Sequence, residues 1–202
     1  MNSIYDFIIE PKKSRYNNVK KIGDKDLILN TEVFNHQYVN REAIVKSLPL
    51  AVETELEVGD EVIVHHNIFR RWHNIRGEEK NSKSYIDEKT YCIREDQVYS
   101  YNRNNKGWKT LKGYCFVKPI KSVDNFSLNT EQPLIGIMKY LGKDLISNDI
   151  KEGDLVGFTP DSEYEFIINE EKLYRVLTTD ISIKYEYQGN EEEYNPSWTS
   201  GS

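Results

Sequence analysis

A glycine-aspartate turn followed by a strand-forming run occurs twice in this chain. The first copy is VGDEVIV at residues 58–64, and the second is EGDLVGF at residues 152–158. Glycine supplies the backbone freedom of a tight turn, aspartate tolerates turn conformations, and the β-branched residues that follow favour a buried strand. One such turn is a weak signal. The residues around the two copies therefore decide whether the chain contains a repeat.

Three further blocks recur around these turns in the same order. The paired blocks are residues 7–11 with 115–119, 42–48 with 136–142, and 91–98 with 174–181. The spacing from Glu42 to Gly59 equals the spacing from Gly136 to Gly153. Four blocks in one order indicate two tandem copies of one domain, since chance produces single matches far more readily than an ordered set.

The repeat predicts an all-β chain with two domains. Tyrosine is abundant, with 14 residues, and valine and isoleucine are frequent, which favours strands over helices. We place the first domain at residues 1–105 and the second at 114–188. Residues 106–113 form a short polar linker, and the acidic and polar residues 189–202 are predicted to be a disordered tail.

The two copies differ in length at two places. The first copy contains a long loop at about residues 12–40 and an insertion at about residues 66–84. The loop carries an apolar triplet, Leu27-Ile28-Leu29, among polar residues. Its shorter counterpart in the second copy has Phe126 and Leu128 as its apolar cluster. From the residues alone, the triplet is either a short extra strand packed on its own domain, which we favour at this point, or a docking segment for a partner.

Composition and charge exclude several classes of protein. The net charge is −6, which argues against general nucleic-acid binding. No apolar run approaches the length of a membrane-spanning helix, and the N-terminal residues lack the apolar core of a signal peptide. We therefore expect a soluble, cytoplasmic protein. Cys92 and Cys115 fall in predicted strands, and we expect both to be free thiols.

Motifs for catalysis, metal binding or cofactor binding are absent from the sequence. There is no nucleophile elbow, phosphate-binding loop, dinucleotide fingerprint or zinc-ligand array. His65, His66 and His73 are candidate metal ligands, but no cysteine or carboxylate stands beside them at ligand spacing. We therefore predict a protein that is not an enzyme, with no catalytic residue, no metal and no cofactor.

The insertion also offers a nucleic-acid hypothesis. Arg70, Arg71, Trp72 and Arg76 combine cations with an aromatic ring, as sites for single-stranded nucleic acid do. The alternative is a β-hairpin extension that packs Phe69 and Trp72 and holds its arginines in solvent. The acidic charge of the whole chain favours the hairpin.

The ordered blocks resemble the GroES-type co-chaperonins, the ten-kilodalton chaperonins. The residues that match best are Val117-Lys118-Pro119, the VGDEV run at 58–62, and YCIREDQV at 91–98. Residues 171–181 carry the corresponding pattern in the second copy. The resemblance covers nearly all residues from 5 to 187. The divergent sequence with its long insertion is also similar to GroES-like proteins encoded by tailed phages.

The resemblance implies a fold and a function. The fold would be two tandem GroES-like, partly open β-barrels that assemble into a homo-oligomeric ring. The function would be to cap an ATP-bound GroEL-type chaperonin and assist the folding of a client, in the host cytoplasm if the protein is phage-encoded. Leu27, Ile28 and Leu29 occupy the position of the family's chaperonin-binding triplet, and Phe126 and Leu128 would be a possible second contact. The alternatives are a structural or assembly protein, for example of a virion, and a nucleic-acid-binding barrel.

Overall fold

The computed structural model describes residues 3–16, 19–22, 25–28, 39–122, 130–187, 189 and 191–201. The chain divides into two compact units, Met1–Trp108 and Lys109–Ser202. The boundary lies inside the segment that the sequence assigns to the linker.

Short strands make up most of the first unit. They are β1 (Phe7–Pro11), β2 (Val19–Ile22), β3 (Lys25–Ile28), β4 (Glu42–Ser47), β5 (Glu61–Val64), β6 (Arg71–His73), β7 (Glu79–Asn81), β8 (Tyr85–Asp87), β9 (Thr90–Ile93) and β10 (Val98–Asn102). The next strand, β11 (Trp108–Thr110), begins at the last residue of this unit and continues into the second. A 3-10 turn at Glu95–Gln97 joins β9 to β10.

The second unit has the same character, with one short helix. Its elements are β12 (Tyr114–Lys121), β13 (Glu131–Tyr140), α1 (Lys143–Ile146), β14 (Leu155–Phe158), β15 (Tyr164–Ile168), β16 (Glu171–Leu177) and β17 (Ile181–Tyr185). A 3-10 turn at Thr178–Asp180 joins β16 to β17, and another covers Ser197–Gly201. Among the described residues, no helix is long and apolar enough to cross a membrane.

The two large sheets share one strand order. The first sheet contains the order β10-β5-β4-β1-β9-β8, with β11 added beside β10, and the second has the order β17-β14-β13-β12-β16-β15. Each neighbouring pair in both six-strand sets is antiparallel. The repeated sequence blocks lie on strands at equivalent places in the two sheets, which is the arrangement that an internal repeat predicts.

The glycine-aspartate turns are built alike in both units. Gly59 and Gly153 have left-handed backbone, with φ of +95° and +90°, which a residue with a side chain adopts only at a cost. Gly59 donates its N–H to the carbonyl of Val45 at 2.8 Å, and Val45 donates to the carbonyl of Asp60 at 2.9 Å. Met138 forms the same two bonds with the second turn, both at 2.8 Å.

The prediction of an all-β chain is confirmed. The finer prediction of partly open barrels is not shown, because the strand order of each large sheet in the described residues runs from one edge strand to another without a pairing that joins the two ends. Both cysteines are free, as the sequence predicts, and Cys115 is buried in the core of the second unit.

The sequence predicts a disordered tail at residues 189–202. Its described part packs on the second unit, where Ile120 of β12 pairs with Glu193 and the N–H of Lys121 donates to the carbonyl of Glu192 at 2.8 Å. β16 pairs with β12 only as far as Val117, so the end of β12 has backbone groups to pair with the tail. Two glutamates of the acidic run form ion pairs with lysines of β12.

Candidate functional site

The residues that flank segment 17–38 of the long loop pair with each other. Tyr16 and Val39 form a β-bridge across its base, and the N–H of Asn40 donates to the carbonyl of Arg15 at 2.9 Å. All four residues are buried. The intervening segment, 17–38, therefore has both its ends fixed to the core by backbone hydrogen bonds.

Arg15 holds this base against the insertion at 66–84. Its side chain is only 6% exposed. Its Nε donates to the carbonyl of Phe69 at 3.2 Å, and one terminal nitrogen donates to the side-chain oxygen of Asn81 at 2.8 Å. The other terminal nitrogen lies 3.3 Å from the carboxylate of Glu88, and the guanidinium stacks 5.0 Å from the centre of the Tyr85 ring. A buried guanidinium with this many partners fixes the geometry of the groups around it.

Tyr16 makes a second connection to the same insertion. Its hydroxyl oxygen accepts a hydrogen bond from the N–H of Arg71. The guanidinium of Arg71 in turn lies 5.1 Å from the centre of the Tyr16 ring. Tyr16 is buried, so its hydroxyl needs this partner, because an unpaired buried hydroxyl is costly.

The contacts that Arg15 and Tyr16 make with the insertion are called the clasp below. Aromatic rings pack beside it. Phe69 and Tyr91 are fully buried and meet edge to face at 4.7 Å, and Tyr85 meets Tyr91 at 5.5 Å. Burial raises the pKa of Tyr91 above its ordinary value. The hairpin interpretation of the insertion predicts that Phe69 and Trp72 both pack, but Trp72 is 40% exposed.

The two additions of the first copy are thus in contact with each other. The long loop and the insertion are both longer in the first copy than in the second, and Arg15 and Tyr16 join them. No local sequence pattern links residues 15 and 16 to residues 69–81. The signal that could have found the contact is the coincidence that both additions occur in the same copy.

The predicted chaperonin-binding triplet lies partly inside the described residues. Leu27 and Ile28 belong to β3, which pairs antiparallel with β2, so that Leu27 is opposite Lys20 and Ile28 is opposite Val19. Leu29 lies outside the described residues, as do Phe126 and Leu128 of the second loop. The backbone of this part of the loop therefore forms a hairpin, and docking of the triplet stays a prediction.

The residues of the nucleic-acid hypothesis lie on and beside the insertion hairpin of β6 and β7. Arg71 stacks on Tyr16 and lies 3.6 Å from the carboxylate of Glu79. Arg76 is exposed in the turn, and Arg70 is half-buried just before β6. Because Arg71 has these partners within the domain, it contributes to the fold of the hairpin rather than to an open cationic surface.

The three histidines that the sequence offers as metal ligands lie among the described residues and form no metal site there. His65 and His66 stack at 4.3 Å between ring centres, and the Nδ1 of His65 accepts the N–H of Asn67 at 3.1 Å. His73 lies apart from them in sequence, in β6. Within the residues that the structure describes, no group of three or more histidine, cysteine or acidic side chains could hold a metal ion.

The second unit contains a charged network that the sequence did not reveal. Lys118 is 6% exposed and pairs with Glu171 at 2.6 Å and with Glu193 of the tail. Lys172 is buried and pairs with Glu131. The network satisfies two buried lysines, which are rarely found without partners, and it attaches the tail to the sheet.

No protein-family model matches this chain, and no curated protein matches it.

Proposed function

We propose that this chain is a co-chaperonin, which caps an ATP-bound GroEL-type chaperonin ring and assists the folding of a client protein. Three observations support the proposal: the order of the repeated blocks, their resemblance to GroES-type subunits, and the strand order that six strands of each large sheet share. In this proposal each unit is a GroES-like, partly open barrel.

The observation that carries the proposal is the clasp at the base of the long loop. Tyr16 and Val39, which flank segment 17–38, form a β-bridge, and Tyr16 is hydrogen-bonded to Arg71 of the insertion. A docking segment on a rigid base is presented in one place, which lowers the orientational cost of binding. Leu27, Ile28 and Leu29 would enter an apolar groove of the chaperonin.

The energetics of such a contact suit a reversible cap. Fully burying an aliphatic side chain contributes about 1.5–3 kcal/mol, so one triplet provides only modest affinity after the cost of association. We propose that the chain forms a homo-oligomeric ring, in which several triplets bind one chaperonin ring at once. Multivalent attachment then gives a stable cap, although each loop still releases readily.

The second unit has a lesser role in docking. Its shorter loop would offer Phe126 and Leu128 as a possible additional contact. We propose no catalytic residue, metal or cofactor in either unit, so the ATP of the cycle is bound and hydrolysed by the chaperonin.

The direct test is binding to a purified GroEL-type chaperonin in the presence of nucleotide. The native chain is compared with Ile28→Asp, which places a charge in the triplet, and with Ile146→Asp as the control. Ile146 is more than half exposed at the end of α1 in the second unit, so the same substitution there changes no docking residue. We expect binding and an altered ATPase rate for the native chain and the control, and neither for Ile28→Asp. Absence of binding by the native chain would refute the proposal.

A structural or assembly role, for example in a virion, is the second candidate. It is favoured by the pairing of β3 with β2, because Leu27 and Ile28 then lie in a strand rather than in an open loop. Hydrogen exchange of the isolated protein separates the two functions. Strong protection of residues 25–28 that is unchanged by a chaperonin supports the structural role, whereas protection that rises when the chaperonin is added supports docking.

A further inference from the structure

The turn of the insertion hairpin exposes a complete isoleucine side chain. Ile75 lies at the tip between β6 and β7 and is fully exposed, and Arg76 beside it is exposed as well. Trp72, on the strand that leads to the tip, is also 40% exposed. A single exposed apolar residue is common on protein surfaces, so the geometry of the turn must decide whether this one has a role.

The turn is held rigid by one asparagine. The side-chain oxygen of Asn74 accepts the N–H groups of Arg76 at 2.9 Å and Glu78 at 3.0 Å. Its side-chain nitrogen donates to the carboxylate of Glu78 at 2.8 Å. Gly77, with φ of +76°, closes the turn by donating to the carbonyl of Asn74 at 2.9 Å. The tip therefore presents Ile75 in one backbone conformation, so little conformational entropy remains to be lost when a partner covers it.

The tip stands next to the base of the long loop. Arg71 and Asn81, which begin and end the hairpin, are the residues that contact Tyr16 and Arg15. Three residue steps lead from Arg71 to Asn74 at the start of the turn, a distance on the order of 10 Å at about 3.3 Å per residue. A partner that binds the loop close to its base would therefore lie within reach of Ile75.

We propose that the hairpin tip is a second docking element, in which Ile75 enters an apolar depression on the same chaperonin ring that binds the loop. This inference rests on the proposed function. It commits to the ring as occupant, rather than to another copy of this chain, because the tip is continuous with the loop base and both additions belong to the same copy. Two contacts on one rigid base act together, since the first raises the effective concentration of the second.

The test is the affinity for a purified GroEL-type chaperonin with nucleotide. We expect Ile75→Asp to bind about tenfold more weakly than the native chain, the loss that about 1.4 kcal/mol of binding free energy corresponds to. Asn74→Ala, which frees the turn, should lose part of the affinity with Ile75 in place. Ile146→Asp is again the matched control, and the thermal midpoint of Ile75→Asp should equal that of the native chain, because a fully exposed side chain adds little to stability.

A photo-reactive amino acid at position 75 identifies the occupant. We expect it to cross-link to a chaperonin subunit when nucleotide is present. If the native chain binds and Ile28→Asp abolishes binding, but Ile75→Asp binds as the native chain does, the tip inference is wrong and the proposed function stands. A cross-link to another copy of this chain overturns the inference as well. If the native chain binds no chaperonin, the proposed function and the tip inference are both wrong.

Discussion

Arg15, at the base of the long loop, donates a 2.8 Å hydrogen bond to the side chain of Asn81 in the insertion. This bond joins the two segments that the first copy has gained relative to the second. A long loop whose base is fixed only by its chain ends would leave the sheet in many directions. The insertion supplies the carbonyl of Phe69, the amide of Asn81 and the N–H of Arg71 as additional partners for the loop base.

Arg15→Ala should destabilise the first unit by about 2–3 kcal/mol. The substitution leaves the buried carbonyl of Phe69 and the amide oxygen of Asn81 without this donor and removes the stacking on Tyr85. Chemical denaturation followed by tryptophan fluorescence measures the change. Arg94→Ala is the control, since Arg94 is largely exposed and should leave the unfolding midpoint unchanged. Equal midpoints for both variants would show that the clasp contributes nothing to stability.

Much of the fold could be predicted from the sequence, because the internal repeat allows two parts of one chain to be compared. The four blocks predicted strands of both sheets, and the turns at Gly59 and Gly153 lie where the pattern places them. The clasp could not be predicted. Arg15 lies among lysines and asparagines in the sequence, a pattern that predicts a solvent-exposed side chain. Only the fold brings it into contact with the insertion.

The pairing of the tail with β12 could not be predicted either, for a similar reason. Acidic runs are usually exposed, and nothing local in the sequence shows that Lys118 and Lys121 lie opposite this one. The pairing of the tail depends on where β16 stops along β12, which is a property of sheet register rather than of composition.

The aspartates of the two turns should differ in their contribution to stability. Asp60 is 2% exposed and accepts two hydrogen bonds from Arg103, at 2.9 and 2.8 Å. Asp154 is more exposed and pairs with the single ammonium group of Lys184 at 2.7 Å. We expect Asp60→Asn to cost about 2–3 kcal/mol and Asp154→Asn about 1 kcal/mol, because bidentate and buried ion pairs are the stronger ones. Denaturant unfolding of each variant measures both values, and a larger loss for Asp154→Asn would contradict this ranking.

The contribution of Asp60 should also depend on pH. Burial opposes the charged form, but the hydrogen bonds from Arg103 and from the N–H of Glu57, with the charge of Arg103, outweigh it, so the pKa of Asp60 lies below its ordinary value of 3.8. A lowered pKa in the folded state gives stability that is present above the unfolded pKa and is lost as the pH falls through the folded one. The difference in unfolding free energy between the native chain and Asp60→Asn should therefore be constant from pH 7 to about pH 5 and shrink below about pH 4. A difference in unfolding free energy that increased at acidic pH would contradict this prediction.

Glu193 and Glu192 offer a matched pair for the role of the tail. Glu193 pairs with Lys118, which is buried, whereas Glu192 pairs with Lys121, which is exposed. Removing the charge of Glu193 leaves the ammonium group of Lys118 paired with Glu171 of β16, and a buried cation loses more than an exposed one when its counter-charge is removed.

We expect Glu193→Gln to lower the stability of the second unit by about 1 kcal/mol and to increase proteolysis of the tail, because the backbone pairing with β12 is weakened at the same point. Glu192→Gln should change neither property, since solvent screens its exposed ion pair. Thermal unfolding and limited proteolysis of the two variants in parallel measure both effects. If the variants behaved alike, the buried lysine would not be what holds the tail to β12, and the backbone bonds of residues 192–194 alone would account for its attachment.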